Sequence, residues 1–149
     1  MPPRKKRIPV VFDTNVLIGF YLSPHKRSAN AQVFRLWRNK RQLQLIVSDE
    51  VVAEYLEILS RVSVEAKQIQ TLQERIEKRE TVTHVKLGAR PKVSRDPDDD
   101  VILATGIAGN AKYVVTNDYD LLDVSSLDRK RFKFAIVTPG QLLKLIEDL

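Results

Sequence analysis

The sequence predicts an α/β domain in three layers, a central and mostly parallel sheet flanked by helices. Three observations lead there. Short apolar runs rich in β-branched residues recur along the chain, at residues 8–12, 43–47, 113–116 and 134–137. They lack polar alternation, as strands covered on both faces do. Between them lie longer stretches whose apolar residues recur at helical spacing, and strands alternating with helices give parallel sheets.

The first run, Ile8 to Phe12, follows the basic stretch Arg4, Lys5, Lys6, Arg7 and stops at Asp13. Residues 16–22 carry a helical pattern, Ser23-Pro24 breaks it, and residues 29–37 resume it with Val33, Phe34 and Trp37 on one face. Residues 43–47 form the second strand. Ser48 then stands where an N-cap belongs, and Asp49 and Glu50 fill the first turn, where the helix dipole favours negative charge. That helix extends to about Arg61. Residues 64–80 read as a strongly charged helix, and residues 81–87 as a half-exposed strand with Val82, Val85 and Leu87 as its apolar members. Residues 88–95 are a basic loop. Asp96-Pro97-Asp98 opens a helix that runs to about Ala108 and ends at Gly109-Asn110. Residues 113–116 are a buried strand followed by Asn117-Asp118, and residues 134–137 and 141–149 add a last strand and helix. With no internal repeat, low-complexity tract or linker, one domain over residues 1–149 is expected, its basic tail covering about residues 1–7.

Composition narrows the chemistry. The absence of cysteine excludes a disulfide framework, a thiolate-bound zinc and a cysteine nucleophile. His25 and His84 are the only histidines, too few for a His-rich metal site, so any metal must be held mainly by oxygen, which favours Mg²⁺ or Mn²⁺. A formal charge of +6 gives a modest attraction for polyanions such as nucleic acid, although such an excess serves solubility equally well. No apolar run approaches the roughly 20 residues of a membrane helix, so a cytoplasmic protein without a membrane partner is expected. The five glycines include no phosphate-cradling pattern, which excludes a P-loop enzyme.

In open parallel sheets ligands bind beyond the carboxyl ends of the strands. Asp13 and Asp118 each follow a strand and share that edge, although an Asp there is more often a turn or cap residue. In the helix after Ser48, the apolar stripe is Val51, Val52, Tyr55, Leu56 and Leu59. Glu54 lies at its border, whereas Glu50 and Glu57 lie nearly opposite. A boundary glutamate paired with solvent or lysine is the alternative for Glu54. Asp99 is in line with Ile102, Leu103 and Gly106 on the inward side of its helix, with Asp98 and Asp100 flanking it toward solvent. A solvated acidic turn is the alternative for these. Taken together, Asp13, Glu54, Asp99 and Asp118 are acids that one sheet edge can collect, and acids so collected repel one another unless a divalent cation offsets their charge.

Three segments, VVFDTNVLI, SDEVVAEYLEILSR and DPDDDVILATGIAGNAKYVVTNDYDLLDV, resemble a PIN domain in order and spacing over about residues 8–140. More narrowly, the chain is similar to the PIN-family toxin components of toxin–antitoxin pairs, relatives of the VapC-type ribonucleases. The resemblance implies an acidic quartet that holds Mg²⁺ or Mn²⁺, at Asp13, Glu54, Asp99 and Asp118. Asp96 and Asp120 match acids common in this subfamily, as alternative ligands or supports behind them, and Asn15 and Thr116 match its polar supports. Gly106 stands where relatives often carry alanine, a small-for-small change.

The activity implied is metal-dependent endoribonuclease, hydrolysing RNA phosphodiester bonds as the toxin of a type II toxin–antitoxin pair. The implied partners are an RNA substrate, a cognate antitoxin covering the acidic cleft, and a second copy in a homodimer. Apolar residues around Trp37 and the helix over residues 64–80 are candidates for a subunit contact, and Lys26, Arg27, Arg90, Lys92 and Arg95 for guiding the substrate backbone. The rival readings are a non-catalytic RNA-binding or interaction module of the same fold, and an RNA-processing nuclease unrelated to toxicity. A receiver-like or phosphatase-like domain also places acids at strand ends, but needs a partnering lysine at a strand end, and the run Lys112 to Asn117 supplies none.

Overall fold

A computed structural model of the chain describes residues 6–22, 27–88, 97–123, 130 and 132–147. Its centre is β1 (Ile8–Phe12), with β2 (Leu43–Ser48) and then β3 (Val82–Val85) on one side, and β4 (Tyr113–Val115) and then β5 (Ala135–Val137) on the other. All four neighbouring pairs are parallel. The chain builds outward from β1 in one direction, then returns to build in the other, so the order reverses between β1 and β4. That reversal leaves a crevice at the carboxyl edge, where the loops after the two strands diverge. Phe12 pairs with Val115 in register, which sets Asp13 level with Thr116.

Among the described residues seven helices accompany the sheet: α1 (Thr14–Leu22), α2 (Ala29–Arg38), α3 (Asp49–Arg61), α4 (Ala66–Glu77), α5 (Pro97–Ala108), α6 (Tyr119–Leu122) and α7 (Pro139–Glu147). α5 lies across β1, β2 and β4 and against α3, while α2 packs on β2 with α1 and α7 beside it. Val10, Val11 and Phe12 are fully buried, as a strand covered on both faces requires.

Several boundaries move for identifiable reasons. α1 starts two residues earlier than the apolar pattern: the Thr14 amide donates to Asp13 Oδ1 at 2.7 Å and the Val16 amide to the Asp13 carbonyl at 3.0 Å, so the chain turns helical directly after the strand. The expected helix over 64–80 shortens to α4, since Glu65 is extended at its start and Arg79 turns left-handed (φ 61°) beyond its end. The strand expected over 81–87 keeps only Val82–Val85, where β2 gives it a partner. α7 starts at Pro139, the helix position where a missing N–H costs nothing, and residues 148–149 lie outside the described residues. α6 was not expected from periodicity; it is a single turn capped by Asp118.

Trp37 corrects one expectation. It is fully buried rather than on a subunit surface, its ring edge-on to Phe12 and Phe34 at 6.4 and 5.4 Å between centroids. Its Nε1 donates to the Thr81 carbonyl at 3.0 Å, which gives the one polar atom of a large apolar ring a partner inside the core. Gly109 marks a close approach on the other face. A Cβ there would stand 2.4 Å from Ile46 Cγ2, so the end of α5 reaches β2 only without a side chain.

Candidate metal centre

The carboxyl edge at the β1/β4 reversal gathers three acids. β1 delivers Asp13, the loop after β4 delivers Asp118, and the first turn of α5 delivers Asp99. Each offers a carboxylate oxygen, and the three oxygens lie within 4.8 Å of one another. Asp13 and Asp99 are 8% and 4% exposed, which is unusual for acids and demands compensation.

Asp13 receives part of it from hydrogen bonds. Its Oδ1 accepts from the Thr14 amide, and its Oδ2 accepts from the Thr116 hydroxyl at 2.7 Å and from Asn15 Nδ2 at 3.0 Å. The net balance still raises its pKa above the ordinary 3.8. Burial is the largest cause, opposed by the donors Thr116, Thr14 and Asn15, while the charge of Asp118 adds to the rise. Asp118, half-buried, accepts from the Asp120 amide, and its own amide donates to the Thr116 hydroxyl at 2.9 Å. Thr116 therefore ties both acids together.

Glu54 stands beside this trio rather than in it. It is half-buried on α3, and its Oε2 accepts from the Thr14 hydroxyl at 3.0 Å. Of the predicted stripe, Val51, Tyr55 and Leu59 are fully buried and Val52 and Leu56 half-buried. Tyr55 donates its hydroxyl to the carbonyl of Phe12, immediately before Asp13. Burial, and then the charges of Asp13 and Glu54, push its pKa well above the usual phenol range, so it stays a neutral donor. α5 is held in place by a buried hydroxyl pair: Ser48 Oγ and Thr105 Oγ1 are 2.9 Å apart, and Ser48 Oγ also caps α3 by accepting from the Val51 amide.

Sequence reasoning missed an amide row next to the acids. Asn15 Oδ1 accepts from both the backbone and side-chain nitrogens of Asn117, and Asn117 Nδ2 donates in turn to Asn30 Oδ1 at 2.9 Å. Gly19 makes room for it, since a Cβ there would stand 2.1 Å from Asn30 Nδ2. The row joins residues 87 and 102 positions apart, and no local pattern encodes such contacts.

The remaining predicted residues divide simply. Asn15 and Thr116 touch Asp13. Asp120 is exposed and meets the centre through its amide. Asp96, Lys26, Arg90, Lys92 and Arg95 lie outside the described residues, as does the side chain of Asp98, and Arg27 is exposed. A cavity of about 350 Å³ lies elsewhere, lined by Arg41, Arg75, Lys78 and Glu80 among others and by none of these acids. The chemistry points to the carboxylates instead. Their donor set is all oxygen, close-spaced, buried and mutually repelling, and this fits a hard divalent cation.

A family model described as "PIN domain" matches residues 9–120. Among solved structures, VapBC2 from Rickettsia felis, bound to a DNA fragment from its promoter, is similar with a TM-score of 0.53. The two are 17% identical, and the match covers 88% of this chain and 98% of that chain. At such identity the likeness is one of fold. No curated protein matches the chain.

Proposed function

The chain belongs to the PIN domain family, and from that premise we propose that it is a metal-dependent endoribonuclease acting as the toxin of a type II toxin–antitoxin pair. The observation that carries the enzymatic part is the meeting of Asp13, Asp99 and Asp118 within 4.8 Å at the carboxyl edge of the sheet. In this reading those three residues hold Mg²⁺ or Mn²⁺. A divalent ion bound there supplies a Lewis acid that offsets phosphate charge and lowers the pKa of an attacking water.

The protein's own groups do the rest. Asn15 and Thr116 orient Asp13, and Thr116 links it to Asp118, so the carboxylates are set before substrate arrives. Glu54, fixed by the Thr14 hydroxyl, is placed as a further ligand or as the base that orients the water. The formal charge of +6 draws a polyanionic substrate toward the molecule, with exposed Arg27 among the groups available to guide its backbone.

The pairing with an antitoxin is a further part of the proposal, supported by a fold shared with VapBC2, and a homodimer is another. A cytoplasmic location belongs to it as well. Among the described residues no helix is long and apolar enough to cross a membrane.

The test is cleavage of a mixed single-stranded and structured RNA pool by the purified protein in Mg²⁺, Mn²⁺ or EDTA, beside Asp13→Asn. Cutting that needs the metal and is lost in the variant is expected. Cutting that survives in EDTA or in Asp13→Asn would show that these acids are not the centre.

A further inference from the structure

Tyr119 is 78% exposed, the most exposed large hydrophobic side chain among the described residues, ahead of Leu22, Ile107 and Leu145. It is also the only aromatic of the four, and it directly follows Asp118, so their Cα atoms stand about 3.8 Å apart. The backbone that displays it is fixed. Asp118 Oδ1 accepts from the Asp120 amide, the Leu122 amide donates to the Asp118 carbonyl, and the Asp123 amide donates to the Tyr119 carbonyl at 2.7 Å. Leu121, two residues on, is fully buried and anchors the turn in the core. A ring so exposed contributes little to packing, and these bonds fix the backbone that carries it beside Asp118.

We propose that Tyr119 is a stacking platform for a nucleobase flanking the scissile phosphate. This rests on the nuclease reading above and adds a specificity-determining residue to it. The face of a phenol ring stacks on any base with little regard for sequence, whereas a duplex keeps its base faces covered by neighbouring pairs. A platform beside the metal ligands therefore selects strand state rather than sequence.

The experiment compares wild type, Tyr119→Phe and Tyr119→Leu in two assays. One is fluorescence anisotropy with a short random-sequence single-stranded RNA and with a hairpin of the same composition, in EDTA. The other is initial cleavage rates on the same RNAs in Mn²⁺. Leucine is expected to weaken single-strand binding and raise KM by about 5-fold to 100-fold, the range of one base–aromatic stack, while kcat changes by no more than about twofold. Phenylalanine, which keeps the ring, is expected to stay within about twofold of wild type. Hairpin binding should be indifferent to either change, and the thermal midpoint should not move. If wild type cuts single-stranded RNA and the leucine variant matches it, the stacking role falls and the nuclease reading stands; an equal loss on hairpin and single strand overturns it too. If wild type neither binds nor cuts any RNA, both fall together.

Discussion

Thr116 donates its hydroxyl hydrogen to Asp13 Oδ2 at 2.7 Å while its oxygen accepts the Asp118 amide at 2.9 Å, so one uncharged side chain spans two acids that lie 105 residues apart in sequence. Thr116 is fully buried, which leaves no water to replace either bond. Thr116→Val keeps the shape and deletes both. We expect metal affinity to fall about 10-fold to 100-fold, as for other groups that orient ligands, with a stability loss of about 1–3 kcal/mol from the Asp118 amide left without its acceptor and the Asp13 carboxylate left with only Thr14 and Asn15 as donors. Mn²⁺ titration calorimetry and denaturant unfolding check the two parts separately, and unchanged metal affinity would remove Thr116 from the centre.

Gly19 and Asn30 make a second coupled pair. A Cβ at Gly19 would overlap the Asn30 amide, so Gly19→Ala is expected to push Asn30 away from Asn117 and cost about 1–3 kcal/mol despite the better helix propensity of alanine. In an Asn30→Ala background the Nδ2 and Cγ overlaps are gone and only the Cβ contact at 2.9 Å remains, so Gly19→Ala should cost less there than in wild type. A double-mutant cycle by urea unfolding reads the difference. Additive effects would mean that the two positions do not meet.

The end of α5 offers a harder collision. At Gly109 the added carbon would meet branched Ile46, whose Cγ2 has no free rotation in a packed sheet, at 2.4 Å. At Gly106 it would meet the Phe134 ring at 2.9 Å, a milder overlap. Gly109→Ala should therefore cost about 1–3 kcal/mol, and Gly106→Ala less. The contrast bears on the reading of Gly106 as a mild exchange for alanine: it is tolerable only if Phe134 gives. Thermal midpoints of the two variants rank them, and the reverse order would contradict the packing described here.

How much of this was legible in the sequence depends on how local the cause is. β1, α3 and α5 were, because an uninterrupted apolar run, the Ser48 cap and an Asp-Pro start are written in adjacent residues. Asp99 was as well, since helical spacing alone puts it in line with Ile102 and Leu103. The meeting of Asp13 with Asp118 followed only after assuming a parallel sheet, and the strand order that adjoins β1 and β4 has no local signature. Trp37 was misjudged because helical spacing tells which residues share a face but not what covers that face; here it is Phe12, Phe34 and the Thr81 carbonyl. The Asn15, Asn117 and Asn30 row stayed hidden for the same reason, and α6 because four residues are too few to show a period.

Proton linkage gives the last prediction. The folded-state pKa of Asp13 is raised above the ordinary 3.8, chiefly by burial, so the folded protein holds this proton more tightly than the unfolded chain does. In chelator, its favourable contribution is complete below the unfolded value and is lost as pH rises through the folded value; near neutrality the buried charge is a net cost. A cation at the centre reverses that sign, because it needs the carboxylate deprotonated and offsets its charge. At about 100 times Kd, a bound ion adds about 2.7 kcal/mol of stability. The Mn²⁺-induced rise in thermal midpoint should therefore be several degrees at about pH 7.5, and smaller at about pH 5, where protonation of Asp13 competes with the ion. Asp13→Asn should show little rise at either pH. An equal rise at both values in wild type, or a full rise in Asp13→Asn, would mean that the ion binds somewhere other than beside this carboxylate.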